Sequence, residues 1–257
     1  MNLAYDIGYI FTLCERRFIM KSLKLMKSIP LFLFVIISST LFTACIHSSN
    51  SNLDHTTLEY LGHSSIKIVT NEGKVIYIDP WSGENYDEPA DIVLITHFHY
   101  DHSDIEKVEA KKDTVYITPS FDFEDKSTSS TFPSTKIAGI KIYAVPAYNE
   151  FHKKEESFGY ILELGDVMLY HAGDTSNIEE MKLLSNLNIT YALLPIDGIY
   201  NMDPIEATVV AKIINAEKVI PISTGEDGFY NEENIRMFNI ENKEVLKPGD
   251  VIELIKE

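Results

Sequence analysis

From about residue 57 the chain is a succession of short apolar runs separated by polar breaks. Residues 58–61, 65–69 and 74–78 are rich in β-branched and aromatic side chains, which predicts three strands. Asn71-Glu72-Gly73 supplies the hairpin turn between the last two. Residues 91–96 form a mostly apolar run that reads as a buried strand, followed by a charged, periodic segment over 104–112 that predicts a helix. Strands are expected over 114–118 and 140–145, and a hairpin over 158–164 and 167–170 turns at Gly165-Asp166. Residues 119–133 hold no steady period and read as a loop or broken helix. The second half alternates helix and strand. Ile178, Met181, Leu184 and Leu187 share one helical face, and residues 191–196 and 218–222 are strand-like. Asp203-Pro204-Ile205-Glu206 opens a helix with an acidic cap, a proline in the first turn and a glutamate three residues on.

The first 56 residues follow a different pattern. Met20 to Lys27 carries three lysines ahead of the apolar run 29–37, which ends in Leu41-Phe42-Thr43-Ala44-Cys45. A basic start, an apolar centre and small residues before a cysteine resemble a bacterial lipoprotein signal. Translation is then expected to start at Met20 or Met26. Residues 1–44 are an upstream extension and signal peptide, 45–56 a polar tether and 57–257 the folded domain. Cys45 would carry a lipid that anchors the protein to a membrane of the bacterial cell envelope, outside the cytoplasm. An uncleaved apolar anchor is the alternative, since the run is barely long enough to span a bilayer.

Charge and cysteine content narrow the chemistry. The formal charge is −17, and removal of residues 1–44 leaves 17 basic and 37 acidic groups, a charge of −20. A nucleic-acid partner is not expected, because phosphate binding calls for basic patches. The two cysteines, Cys14 and Cys45, both precede the domain, so it holds neither a disulfide nor a thiolate ligand. No feature of the sequence bears on oligomeric state.

The densest chemistry is His97-Phe98-His99-Tyr100-Asp101-His102, four metal-capable side chains in six residues behind a buried strand. Side chains two apart on an extended strand end point the same way, so His97 and His99 can face one ion. Imidazoles with a carboxylate suit zinc first, then iron or manganese. Asp174 follows the strand-like run 167–170, and a buried carboxylate there needs a cation. Asp79, after another strand, suits a carboxylate that orients the metal-bearing loop through backbone hydrogen bonds. His63 borders this region and reads as a hydrogen-bonded structural histidine.

His97-x-His99-x-Asp101-His102 resembles the signature of the metallo-β-lactamase fold superfamily. Asp79-Pro80, Tyr170-His171-Ala172-Gly173-Asp174-Thr175, Leu194-Pro195-Ile196-Asp197-Gly198, Met202-Asp203-Pro204 and Glu206-Ala207 are similar to further motifs of a branch. That branch includes the ascorbate-phosphate lactonases and many hydrolases. The resemblance implies a four-layer αββα sandwich with one or two metals between two sheets. His97, His99 and His152 would hold the first ion; Asp101, His102 and the bridging Asp174 would hold the second. One position departs from the branch. Where a last histidine usually completes the second site, this chain has Ser223, a poor zinc ligand, leaving water, Glu226 or Asp227 to fill in.

These readings point to a metal-dependent hydrolase of a small-molecule substrate. A metal-acidified water, oriented by Asp101, would attack an ester, lactone, amide or phosphodiester. The competing reading, favoured by Ser223, is a surface-anchored binding protein whose metal site has degraded.

Overall fold

A computed structural model describes residues 54–126 and 131–257. The signal-like start, Cys45 and most of the tether lie outside the described residues, as do residues 127–130 of the segment read as a loop.

The predicted strands are present, in two six-stranded sheets. The first uses β1 (Thr56–Gly62), β2 (Ser65–Val69), β3 (Val75–Ile78), β4 (Ala90–Leu94) and β5 (Ala110–Ile117). The second uses β6 (Ser134–Ile137), β7 (Ile140–Pro146), β8 (Phe158–Leu164), β9 (Val167–His171), β10 (Tyr191–Pro195) and β11 (Lys218–Ile222). Finally β12 (Val251–Leu254) returns to cover the edge of β1, so the spatial orders are 12-1-2-3-4-5 and 11-10-9-8-7-6. Each sheet is antiparallel at its hairpins and parallel where crossovers link β3, β4 and β5, or β9, β10 and β11.

Alternation along the strands explains why the sheets stack. In β3, Ile76 and Ile78 face the other sheet while Val75 and Tyr77 face outward; in β4, Ile92 and Leu94 face inward and Val93 outward. The inward set meets Ile142, Leu162, Leu169 and Leu193 in a core with essentially no exposed side chain. Each such burial is worth about 1.5–3 kcal/mol.

The outer face of the second sheet is covered by α1 (Met181–Leu184), α2 (Pro204–Ile214) and α3 (Glu232–Met237) through Met181, Leu184, Val210, Ile214 and Ile235. The face read from Ile178, Met181 and Leu184 is buried as expected, although regular helix there extends over four residues only. Helix α2 starts as predicted: Asp203 Oδ1 accepts from the N–H groups of Ile205 and Glu206, and Pro204 follows. The Glu206 carboxylate does not return to the cap; it accepts the N–H of Asn177 and ties α2 to the preceding loop.

The helix expected over 104–112 is not formed. A 3-10 turn over Ile105–Lys107 is followed at once by β5, whose Ala110 pairs with Ala90 of β4. Residues 110–113 are exposed. Their charges reflect the solvated start of a strand, and the parallel ladder with β4 overrides the helical period. Consequently the outer face of the first sheet is covered by Tyr86 of the 81–89 loop and by Val108, with no long helix among the described residues.

Candidate metal centre

The loops at one end of the two sheets bring the predicted residues together. The chain leaves β4 through Ile95 and Thr96, carrying His97, His99, Asp101 and His102; His152 follows β7, and Asp174 follows β9. Three overlapping groups each place their candidate ligand atoms within 4.8 Å of one another: His97, His99 and His152; His97, His102 and Asp174; and His63, Asp101 and His102.

Hydrogen bonds decide which ring nitrogens face inward. Asp79 Oδ1 accepts the N–H of Thr96 at 2.8 Å, while its Oδ2 accepts Thr96 Oγ1–H at 2.7 Å and His102 Nδ1–H at 2.8 Å. With the threonine hydrogen directed at Asp79, Thr96 Oγ1 takes His97 Nδ1–H at 3.0 Å. On the opposite sheet, Asn149 Oδ1 accepts His152 Nδ1–H at 2.9 Å. Each of His97, His102 and His152 is thereby held with Nδ1 outward and Nε2 towards the common centre, the orientation that metal-bound imidazoles take from such partners.

Two glycines set the position of Asp174. A Cβ on Gly159 would lie 2.7 Å from the carbonyl oxygens of His171 and Ala172. Gly173, at φ +63°, would meet the Phe158 oxygen at 2.9 Å. This close passage of β8 past the end of β9 turns Asp174 into the site. His171 accepts the Gly173 N–H at Nδ1 and donates from Nε2 to the Ser64 carbonyl, so it ties the sheets together without facing the cluster.

Several inward atoms have no partner. His102 Nε2, His152 Nε2 and Asp174 Oδ1 are buried without a hydrogen bond, and both imidazole nitrogens stand 3.5 Å from Asp174 Oδ2. A protein interior rarely leaves such atoms unsatisfied. The electrostatics agree. Burial, helped by the neighbouring His102, pushes His97 down to about 3, so it presents a lone pair. Burial opposes the charged form of His102, but Asp174 and Asp79 outweigh it and hold its proton well above the usual range. Burial would likewise raise Asp174; His102 and the other imidazoles hold it well below the ordinary carboxylate range. A proton on His102 would lie between two carboxylates, Asp79 and Asp174. These residues fit a divalent ion, which would replace that proton and satisfy the orphaned atoms.

The profile described as "Beta-lactamase superfamily domain" matches residues 57–223. The chain is 32% identical over 223 residues to a UPF0173 metal-dependent hydrolase of Thermococcus onnurineus, spanning 77% of this chain and 99% of that one. The chain belongs to the metallo-β-lactamase superfamily, in its UPF0173 metal-dependent hydrolase family. A Pyrococcus horikoshii relative is 30% identical, again over 77% of this chain and 99% of its own. The same fold recurs in Igni18, a metallo hydrolase of Ignicoccus hospitalis, at a TM-score of 0.62 and 24% identity over 79% of this chain and 99% of that one. Membership of a hydrolase family displaces the reading of a non-catalytic binding protein.

Ser223 is fully buried, its Oγ lies 2.7 Å from Ser64 Oγ, and its N–H donates to the His63 carbonyl at 2.9 Å. Glu226 is exposed and joins none of the three groups, and the side chain of Asp227 lies outside the described residues. The hydrogen-bonded structural role expected of His63 is not what the structure shows. Neither ring nitrogen has a hydrogen bond, and Nε2 lies 3.3 Å from Asp101 Oδ2. Burial would raise Asp101, yet His63 and His102 hold it below the usual range. The signal for His63 in the sequence was Gly62-His63 at a strand end. Gly62 sits at φ +118° and His63 at φ +53°, a reversal that turns the ring away from β1.

Proposed function

We propose that this hydrolase acts on uncharged acyl substrates, esters, lactones or amides, with water activated by metal held by His97, His99, His152, Asp101, His102 and Asp174. A bound divalent ion, zinc first and manganese or iron next, would supply an acidified water and a Lewis acid for the carbonyl. Asp101 is half-buried beside the cluster, and its ionised carboxylate suits it to orient that water and accept its proton.

The observation that carries the substrate reading is the cavity above the cluster. It has a volume of about 420 Å³ and is walled by Tyr100, Phe151, Tyr200 and Asn201, with no lysine or arginine among its described lining residues. The nearby Lys153 is paired with Glu156. A phosphate-bearing substrate normally meets cationic side chains or an array of backbone N–H groups; this pocket offers aromatic faces and carboxylates. Asn201 adds a buried amide oxygen without a partner, an acceptor for a substrate N–H or O–H. The likeness to ascorbate-phosphate lactonases therefore supports the lactone and not the phosphate.

Asp197 builds the wall. Its Oδ1 accepts from the N–H groups of Ile199, Tyr200 and Asn201 and its Oδ2 from Asn201 Nδ2, which fixes the loop after β10. Asn149, which orients His152, also donates to the Tyr200 carbonyl at 2.8 Å, so ligand and wall share one anchor.

Zinc-loaded protein assayed on aryl esters, lactones, anilides and phosphodiesters tests this reading. Turnover should favour the neutral acyl substrates, disappear with a chelator and fall at least about 100-fold in Asp101→Asn. A preference for phosphodiesters would overturn the substrate class, and chelator-resistant turnover would overturn the metal role.

A further inference from the structure

We propose that His63 is a ligand of the second metal position, supplying the imidazole that Ser223 lacks. The inference rests on the metal centre proposed above and concerns which side chain completes it.

Four independent features converge on this ring. Its two nitrogens are buried and make no hydrogen bond, an arrangement that costs free energy unless another partner is present. Nε2 lies 3.3 Å from Asp101 Oδ2, and the ring centroid lies 5.1 Å from that of His102, so His63, Asp101 and His102 offer converging atoms. The backbone is held at φ +53°, in the left-handed region that residues other than glycine seldom adopt. The surrounding structure enforces this conformation: Tyr60 Oη donates to the His63 carbonyl at 3.0 Å, and the Ser223 N–H donates to the same oxygen at 2.9 Å. Trp81 packs edge-on against the ring at 5.3 Å, with room only because Gly228 has no Cβ; one there would lie 2.7 Å from the indole.

Ser223 accounts for the exchange. Its hydroxyl is engaged with Ser64 and its amide supports His63, so the residue at the usual histidine position holds its replacement in place from behind. The nitrogen donor reaches the site from the β1–β2 turn of the first sheet instead of from the end of β11. With Asp174 facing both His102 and His152, a second ion would have His63, Asp101 and His102 with Asp174 between the two positions. Two imidazoles and two carboxylates are a sufficient set for zinc.

The test is calorimetric titration of zinc into the metal-free full-length chain, kept in detergent, with bound zinc counted by elemental analysis. Wild type should take up two ions. His63→Gly, which suits the positive φ, should retain the first and weaken the second by more than about 100-fold. His63→Asn, which also tolerates this backbone, controls for folding and should behave alike. Ser223→His added to His63→Gly should recover part of the second affinity. Two sites of unchanged affinity in both His63 variants, or a single tight site in wild type that neither variant alters, would overturn the proposal while leaving the first site and the hydrolase reading standing. No tight zinc at all in wild type would overturn both.

Discussion

Asp79 Oδ2 lies 2.8 Å from His102 Nδ1, and neither residue exposes any surface. The same carboxylate receives both the N–H and the hydroxyl of Thr96, and Thr96 in turn orients His97. One buried anion at the end of β3 thus aims two imidazoles that it does not itself accompany into the centre. Burial alone would raise Asp79; His102 holds it below the usual range, so it stays a full acceptor.

Asp79→Asn should therefore fold less stably and bind metal more weakly, although no ligand is removed. An amide cannot accept all three hydrogens on the same two atoms, and loss of one partner to a buried donor costs about 1–3 kcal/mol. Zinc affinity should fall about 10–100-fold, measured by competition with a chelating dye. An unchanged affinity would reduce Asp79 to a purely structural residue.

His152→Ala should abolish tight binding at the first position, whereas Asn149→Ala should only weaken it. Asn149 Oδ1 accepts from His152 Nδ1 and from the N–H groups of Phe151 and His152, so its loss frees the ring without removing it. Elemental analysis of folded, gel-filtered protein separates the two. Full metal retention in His152→Ala would remove that residue from the ligand set.

Alanine at Gly173 and at Gly165 should differ. Both glycines have left-handed φ, +63° and +69°, which costs an alanine about 1–2 kcal/mol. At Gly165 the new methyl meets nothing, while at Gly173 it meets the Phe158 oxygen at 2.9 Å and Thr96. Gly165→Ala should lower Tm by a few degrees. Gly173→Ala should lower it further and also reduce metal binding, because Asp174 moves with it. Equal effects in thermal melts would contradict the close passage of β8 and β9.

Removing metal should destabilise the fold. Without an ion, His97 Nε2 and His99 Nδ1 pair with each other at 3.0 Å, but His102 Nε2, His152 Nε2 and Asp174 Oδ1 stay buried without a hydrogen bond. Free zinc at about 100 times its Kd should add roughly 2.7 kcal/mol, visible as a rise in Tm that a chelator reverses. Identical melting curves with and without zinc would argue against an ion in this cluster.

The proposed lipid anchor has its own test. Cys45→Ser should leave the precursor unprocessed and abolish incorporation of labelled fatty acid in a bacterial host. Labelling that survives the substitution would exclude Cys45 as the attachment point.

Part of the centre was legible because the apolar runs before His97 and Asp174 stop close to them, whereas His152, six residues past β7, was read only from the family resemblance. Hydrophobic period placed those strands, and the cap of α2 was readable from Asp203-Pro204 alone. Segments decided by pairing were harder to read. The charged start of β5 looked helical until its ladder with β4 was known. Strands β6 and β12, short edge elements, carry too few alternating positions to announce themselves, and α3 was likewise unread. His63 was read as a structural histidine at the border of the site, because its proposed role depends on φ, on a neighbouring tryptophan and on a serine 160 positions along the chain, none of which a local pattern records.

The division of the ligand groups between the two sheets has a consequence for the order of assembly. His97, His99, Asp101 and His102 emerge together behind β4, but His152 and Asp174 arrive only with the β7 and β9 ends of the other sheet. A chain that has folded only its first half would offer His63, Asp101 and His102 as one partial group, with Asp174 still to come, and would lack His152 for the other. Full affinity would appear only once the two hydrophobic faces have docked, so a bound metal would act as a clasp fastened after closure rather than as a nucleus around which folding begins.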